Sequence, residues 1–189
     1  VAYYKMGDGT LDQYPLIADQ TDATLGSEEM VNGDLTDNPF ATPSYTNGWS
    51  DSSIGTSVAV WNSGNNTIEL VGDGSGSNRG NATARISCIA NKTYKLDYNE
   101  LTTPANAAIR VNSTGSWSDS STAYFDVENY TAPFYFTSNV TGYGYIVFSV
   151  YDAVQWEIGS GSVKEVQGNP AAMTNMSSSD ITTDVALSV

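Results

Sequence analysis

From Thr56 onward the chain alternates between apolar and polar residues with the period of a half-buried strand. TSVAVW and NTIELVG are parted by SGN, a hairpin-like spacing. ATARISCIA and KTYKLDYNEL follow, divided by a turn at Ala90-Asn91-Lys92, and Tyr94, Leu96 and Tyr98 share one face because successive strand side chains point to opposite sides. AAIRVNS, TAYFDVEN, APFYFTS, YGYIVFSVY, VQWEI and SVKEV complete the series, each bounded by Asn, Gly, Ser or Pro. VQWEIGSGSVKEVQGNP therefore reads as two strands, with GSGS as the break between them and Gly-Asn-Pro as the stop. Many short strands at regular spacing, with few candidate helices, predict an all-β fold: an antiparallel β-sandwich of the jelly-roll type.

Outside that series the pattern loosens. VAYYKM is strand-like, and GDGTLDQYPLIADQTDATLG carries turn signals at Gly7, Gly9, Pro15 and Gly26. SEEMVNGDLTD turns at Asn32-Gly33-Asp34, and the two prolines of DNPFATPSYTNGW argue against a central strand before Trp49. After Val166 the residues are polar and lack an apolar period. The expected organisation is an N-terminal arm over 1–27 that connects to a neighbour or preceding domain, a sandwich over 28–166, and a C-terminal arm or linker over 167–189. Because the chain opens at Val1 in a strand-like run, it is expected to be a processed product or part of something longer.

Charge narrows the partners. Seven basic residues against 21 acidic give a net charge of −14 and a pI near 4.1. Nucleic acid and anionic membranes both call for the opposite sign, so neither is an expected partner. No run approaches the ~18 apolar residues of a membrane helix. Histidine is absent, which removes the commonest general base near neutral pH and the commonest transition-metal ligand. The single Cys88 falls on the face of Ile86, where it reads as a small core residue rather than a nucleophile. One thiol builds no internal disulfide framework.

The order MVNGDLTD, then a GW, then NKTYKLDYNE, then a closing strand in SVKEV resembles carbohydrate-binding-module-type jelly rolls, which open on an NGDF-like turn. KMGDGTLDQYPLIADQT at 5–21 and GNPAAMTNMSSSD at 168–180 resemble the segments that flank such jelly rolls in structural proteins of marine tailed phages. The resemblance implies a carbohydrate-binding-like module on a virion surface: a fibre, an appendage or a capsid decoration, extracellular and homo-oligomeric, with trimers favoured by analogy with fibres. It also implies a structural calcium held between the NGD turn and an Asp-Asn pair of the closing strand, by the oxygen ligands that ion prefers. Here Asn32 and Asp34 keep the first half of that site. Where relatives read I-D-N-V-S-V-K-E, this chain reads Ile158 to Glu165 as IGSGSVKE, without the acidic ligand, so no bound cofactor is expected.

Two phrases reading WSDSS, at 49–53 and 117–121, carry the candidate binding chemistry. Trp49 with Asp51, and Trp117 with Asp119, combine an aromatic plane for a sugar's apolar face with a carboxylate for its hydroxyls. The competing reading is that both tryptophans anchor loops onto the sandwich. Trp61 and Trp156, within strands, read as core or interface residues. Asp8 to Asp12 and Asp73 to Ser77 offer alternating oxygens but lack the glycine and distal Glu of a full calcium loop, and read as surface turns. Seven sequons, at Asn65, Asn81, Asn91, Asn112, Asn129, Asn139 and Asn175, are discounted in a chain so rich in Asn, Ser and Thr. A glycosidase needs only two carboxylates, yet Asp97, Glu100, Asp126, Glu128, Asp152 and Glu157 show no spacing that marks a pair. The expectation is a noncatalytic virion structural protein that partners itself and other virion proteins. The competing expectation is an adhesin binding host-surface polysaccharide through Trp49 and Trp117, and a third reading is a carboxylate-dependent depolymerase.

Overall fold

The computed structural model describes residues 16–17, 24–101, 106–118, 123–128, 132–167 and 171–172. In chain order its strands are β1 (Leu16–Ile17), β2 (Thr24–Glu28), β3 (Trp49–Asp51), β4 (Val58–Asn62), β5 (Thr67–Val71), β6 (Arg79–Cys88), β7 (Thr93–Glu100), β8 (Ala107–Asn112), β9 (Ala123–Glu128), β10 (Phe134–Thr137), β11 (Gly142–Tyr151), β12 (Gln155–Gln167) and β13 (Ala171–Ala172). All pair antiparallel. One sheet runs β10-β7-β12-β5-β4 with β2 also on β12, and the other runs β3-β6-β11-β8-β9. This is the predicted jelly-roll β-sandwich, with sequential neighbours such as β6 and β7 in opposite sheets.

The core is the set of inward positions of the two sheets. Ile68 and Leu70 of β5, Tyr94, Leu96 and Tyr98 of β7, and Trp156, Ile158 and Val163 of β12 face Ala82, Ala84 and Ile86 of β6 and Ile146, Phe148 and Val150 of β11. Aromatic rings bind the two layers at the centre: Phe148 lies 5.8 Å from Trp49, 5.7 Å from Trp156 and 5.6 Å from Tyr98. Trp156 thus takes the core place read for it. Trp61, in β4, is half-buried.

The GSGS stretch is not a turn. VQWEI and SVKEV are one continuous strand, β12, and the glycines and serines lie inside it. Its pairing with β7 shifts register between Ile158 and Gly161, the signature of a bulge. The reason lies in the NGD turn, which docks on the bulge: Gly161 N–H donates to the Gly33 carbonyl at 2.7 Å. A Cβ on Gly33 would lie 2.2 Å from the Gly161 oxygen, and one on Gly161 would lie 2.8 Å from Met30 Sδ. Glycine in a strand here marks a close approach of two backbones. Glu28 completes the joint, its carboxylate accepting from Val163 N–H at 2.7 Å and from Ser162 Oγ at 2.5 Å.

The two arms meet each other. Leu16 pairs with Ala172 and Ile17 with Ala171, forming a small sheet that belongs to neither large one. The strand read in VAYYKM lies outside the described residues, as does Asp8 to Asp12.

Candidate functional site

Alternation along β6 sends Ala82, Ala84 and Ile86 inward and leaves Arg79, Asn81, Thr83, Arg85 and Ser87 on the outer face of the five-stranded sheet. On β11 the same rule leaves Tyr143, Tyr145, Val147, Ser149 and Tyr151 outside, and on β8 it leaves Arg110 and Asn112. All three arginines of the chain therefore stand on one face of one sheet. Each is stacked on an aromatic ring, which holds a guanidinium at a partly dry surface through the ring's negative face.

A loop lies over the middle of this face. Asn112 organises it, its Oδ1 accepting from Gly115 N–H at 2.7 Å and its Nδ2 donating to the Ser116 carbonyl at 2.8 Å. Gly115, with φ +74°, approaches Tyr145 and Tyr45 so closely that a Cβ would sit 3.1 Å from each. Beneath the loop Thr83, Ser149 and Asn112 are fully buried, polar groups kept from water by hydrogen bonding.

At one end of the face, Arg79 Cζ lies 4.5 Å from the centroid of Trp117 and 4.8 Å from that of Tyr151. Arg110 Cζ lies 4.4 Å from Trp117, and its Nη1 donates to the Trp117 carbonyl. At the other end, Arg85 Cζ lies 4.5 Å from Tyr143 and 5.3 Å from Tyr45, and its Nη2 donates to the Tyr45 carbonyl at 3.2 Å. Tyr45 also packs against Tyr145 at 5.5 Å. Burial raises the Tyr45 hydroxyl above its ordinary range, helped by Tyr145, while Arg85 and a hydrogen bond with Ser50 pull the other way. Tyr143, by contrast, is 58% exposed.

The residues singled out from the sequence fare differently. Trp49 begins strand β3, has no solvent exposure, stacks on Phe148 and donates from Nε1 to the Asn32 carbonyl at 3.2 Å. The expected loop tryptophan is a core residue whose ring has no open face for a sugar. Asp51 is exposed, with Oδ1 accepting from Ser53 N–H at 2.9 Å. Trp117 is half-buried in the loop after β8, its ring engaged by two guanidinium groups. Asp119 lies outside the described residues. The first WSDSS phrase thus begins a strand at Trp49, whereas the described part of the second, Trp117 and Ser118, lies in a turn.

Of the calcium half-site, Asn32 is engaged in its own turn. Asn32 Nδ2 donates to the Asp37 carbonyl at 2.9 Å, its Oδ1 accepts from Asp37 N–H at 3.3 Å, and its carbonyl accepts from Leu35 N–H and from Trp49. Asp34 is exposed, with Oδ1 accepting from Thr36 Oγ1 at 3.3 Å. Among the described residues no three of His, Cys, Asp and Glu converge as metal ligands. Asp73 likewise closes its own loop: its carboxylate accepts from Thr56 Oγ1, from Asn78 Nδ2 at 2.6 Å and from Ser75 N–H at 2.9 Å, which holds it down at about 2. Burial pushes the Cys88 thiol up to about 11, so the nucleophilic thiolate is scarce. Of the carboxylates, Asp97 pairs with Lys95 at 3.4 Å, Glu157 accepts from Thr67 at 2.7 Å and Asp152 from Asn106 at 2.9 Å. Two sequon asparagines, Asn81 and Asn112, are buried.

Tyr45, Arg85, Tyr143 and Tyr145 were not among the sequence candidates. Period two in YGYIVFSVY would have placed Tyr143 and Tyr145 opposite Ile146 and Phe148, and the same count in ATARISCIA places Arg85 outward. Tyr45 sits in an irregular stretch where no period applies.

No protein-family model matches the chain, and no curated protein matches it. Among solved structures, a carbohydrate-binding module described as CBM4 is similar at 15% identity and a TM-score of 0.47, covering 71% of this chain and 99% of that one. TmCBM61 in complex with β-1,4-galactotriose is similar at 17% identity and TM-score 0.40, over 69% of this chain and 97% of that one. The enzymatically active domain of tailspike protein 4 of bacteriophage CBA120 is similar at 14% identity and TM-score 0.43, over 68% of this chain; the chain spans only 21% of that structure. These are likenesses of architecture and bring no ligand to this chain.

Proposed function

We propose that the chain is a noncatalytic virion component, a fibre, appendage or capsid-surface decoration, whose jelly roll binds a saccharide on the outer face of the five-stranded sheet. The observation that carries the binding reading is the Tyr143 ring, open to solvent on this face, with Arg85, Tyr45 and Tyr145 around it. An exposed aromatic plane beside fixed hydrogen-bonding groups is what a pyranose ring needs: its apolar face stacks and its hydroxyls find partners. The platform is Tyr143 rather than Trp49, whose ring is sealed in the core.

The virion half of the reading is supported by the flanking phrases at 5–21 and 168–180, which resemble those around jelly rolls in marine tailed-phage structural proteins. The antiparallel pairing of β1 with β13 brings those two flanks together, as a shared attachment to neighbouring subunits would require.

A glycan array probed with the whole chain tests the binding reading. Reproducible binding is expected, weakened about tenfold in Tyr143→Ala by loss of the stacking contact. Silence across the array, or unchanged binding by Tyr143→Ala, would overturn it.

A further inference from the structure

We infer that the saccharide received at this face is anionic, bearing a carboxylate or a sulfate, and that Arg85 is the group that receives it. This rests on the saccharide-binding reading and adds the substrate class.

Three observations carry it. First, segregation: in a chain of net charge −14 with only three arginines, all three stand on this one face. Second, the surroundings of Arg85. The strand ladders set Ser87 and Tyr143, then Tyr145 and Asn112, beside it on this face, with Thr83 two residues back along β6. None of these is acidic, although the chain has 21 acidic residues. At the β9 edge of this sheet an acidic residue, Asp126, pairs across from Arg110, which stands two strands away from Arg85. Third, geometry. A guanidinium stacked on tyrosine uses its flat face for the rings, while its five N–H donors radiate in the plane. Arg85 spends one of them on the Tyr45 carbonyl. The remaining edge is what matches the two oxygens of a carboxylate or sulfate, and it stands next to the exposed ring on which the sugar body would rest.

The net charge sharpens the test. A chain at −14 repels polyanions at long range, so a preference for an anionic polymer reports a site rather than nonspecific attraction. At physiological salt that repulsion is screened beyond about 8 Å, while a contact at a half-buried guanidinium is screened much less.

The experiment is isothermal titration of the whole chain, at physiological salt, with three polymers: a neutral galactan, the same galactan sulfated, and a polyuronate. Expected is at least about a tenfold preference for one or both anionic polymers, in line with a charge-assisted hydrogen bond. The sulfated and uronate arms separate the two anion chemistries. Arg85→Gln should abolish the preference, weakening binding of the anionic polymers at least about tenfold more than that of the neutral galactan. Arg85→Lys, which keeps the charge and loses the planar fork, should retain part of it. Tyr143→Ala, at an exposed position, should weaken all polymers alike without unfolding the chain, so the site stays testable if Arg85→Gln does not fold. Equal affinity for neutral and anionic polymers, or an unchanged preference in Arg85→Gln, overturns the anionic assignment while the saccharide reading stands. Absence of binding to all three polymers and to the array overturns both.

Discussion

The indole of Trp49 fills the space between the NGD turn and Phe148, with its one polar atom satisfied by the Asn32 carbonyl. Truncation would leave a large cavity and remove one of the two hydrogen bonds to the Asn32 carbonyl, so Trp49→Ala is expected to lower stability by about 3–5 kcal/mol. Urea unfolding measures this, and any variant that remains folded should bind saccharide as the parent does; a full-strength fold with lost binding would return Trp49 to the binding site. Trp117 follows the opposite logic. Its ring sits at the surface and gains from two guanidinium groups, so what it fixes is the position of Arg79 and Arg110. The residues that open to a ligand are instead Tyr143 and Arg85, a pair made neighbours by the register of β6 against β11. Outward alternation was legible for both in the sequence. Their stacking was not, because side-chain contact across a ladder depends on register, and a shift of one residue would send either to the other face.

Strand β12 shows how a local reading errs. Gly and Ser between two apolar runs satisfy every rule for a turn, and the residues on either side do form strand. The backbone nevertheless continues through them, with Gly161 N–H at the bulge donating to the Gly33 carbonyl and Val163 N–H just beyond it to the Glu28 carboxylate. Backbone donors that a turn would turn toward water are satisfied by a distant segment, which sequence alone does not disclose. Gly33 and Gly161 have unequal tolerance. Alanine at Gly33 meets backbone oxygen at 2.2 Å, whereas alanine at Gly161 meets the flexible thioether of Met30 at 2.8 Å. Gly33→Ala should therefore cost about 1–3 kcal/mol and Gly161→Ala distinctly less, as overpacking against a movable side chain is relieved more easily. Chemical denaturation of the two variants gives the order, and equal costs would contradict the docked-turn account.

Taken whole, the protein is a sandwich whose two faces differ in kind. The six-stranded side carries the docked NGD turn and its lysine–carboxylate pairs, and the five-stranded side carries all the arginines. Beside them, β1 and β13 form a sheet of their own. If the arms make the contacts of an assembly, deleting residues 1–20 should convert an oligomer to a monomer by light scattering while the sandwich melts at its usual temperature, since β1 belongs to neither large sheet. An oligomer unchanged by the deletion would remove the arms from that role.

By itself the sequence determined the fold class, most strands of the regular series after Thr56 and their inward faces, because period-two alternation and turn residues are local properties that survive without tertiary context; the short strands β1, β2, β3 and β13 in the irregular segments were not legible. It also determined the acidic character that disfavours nucleic acid and anionic membranes. Only the tertiary structure decided that Trp49 belongs to the core, that GSGS is a bulge within a strand, and that three arginines far apart in the chain share one face with Tyr143. Each of those outcomes depends on which strands become neighbours and in what register, and long-range pairing follows from the joint packing of both sheets rather than from any single stretch of residues.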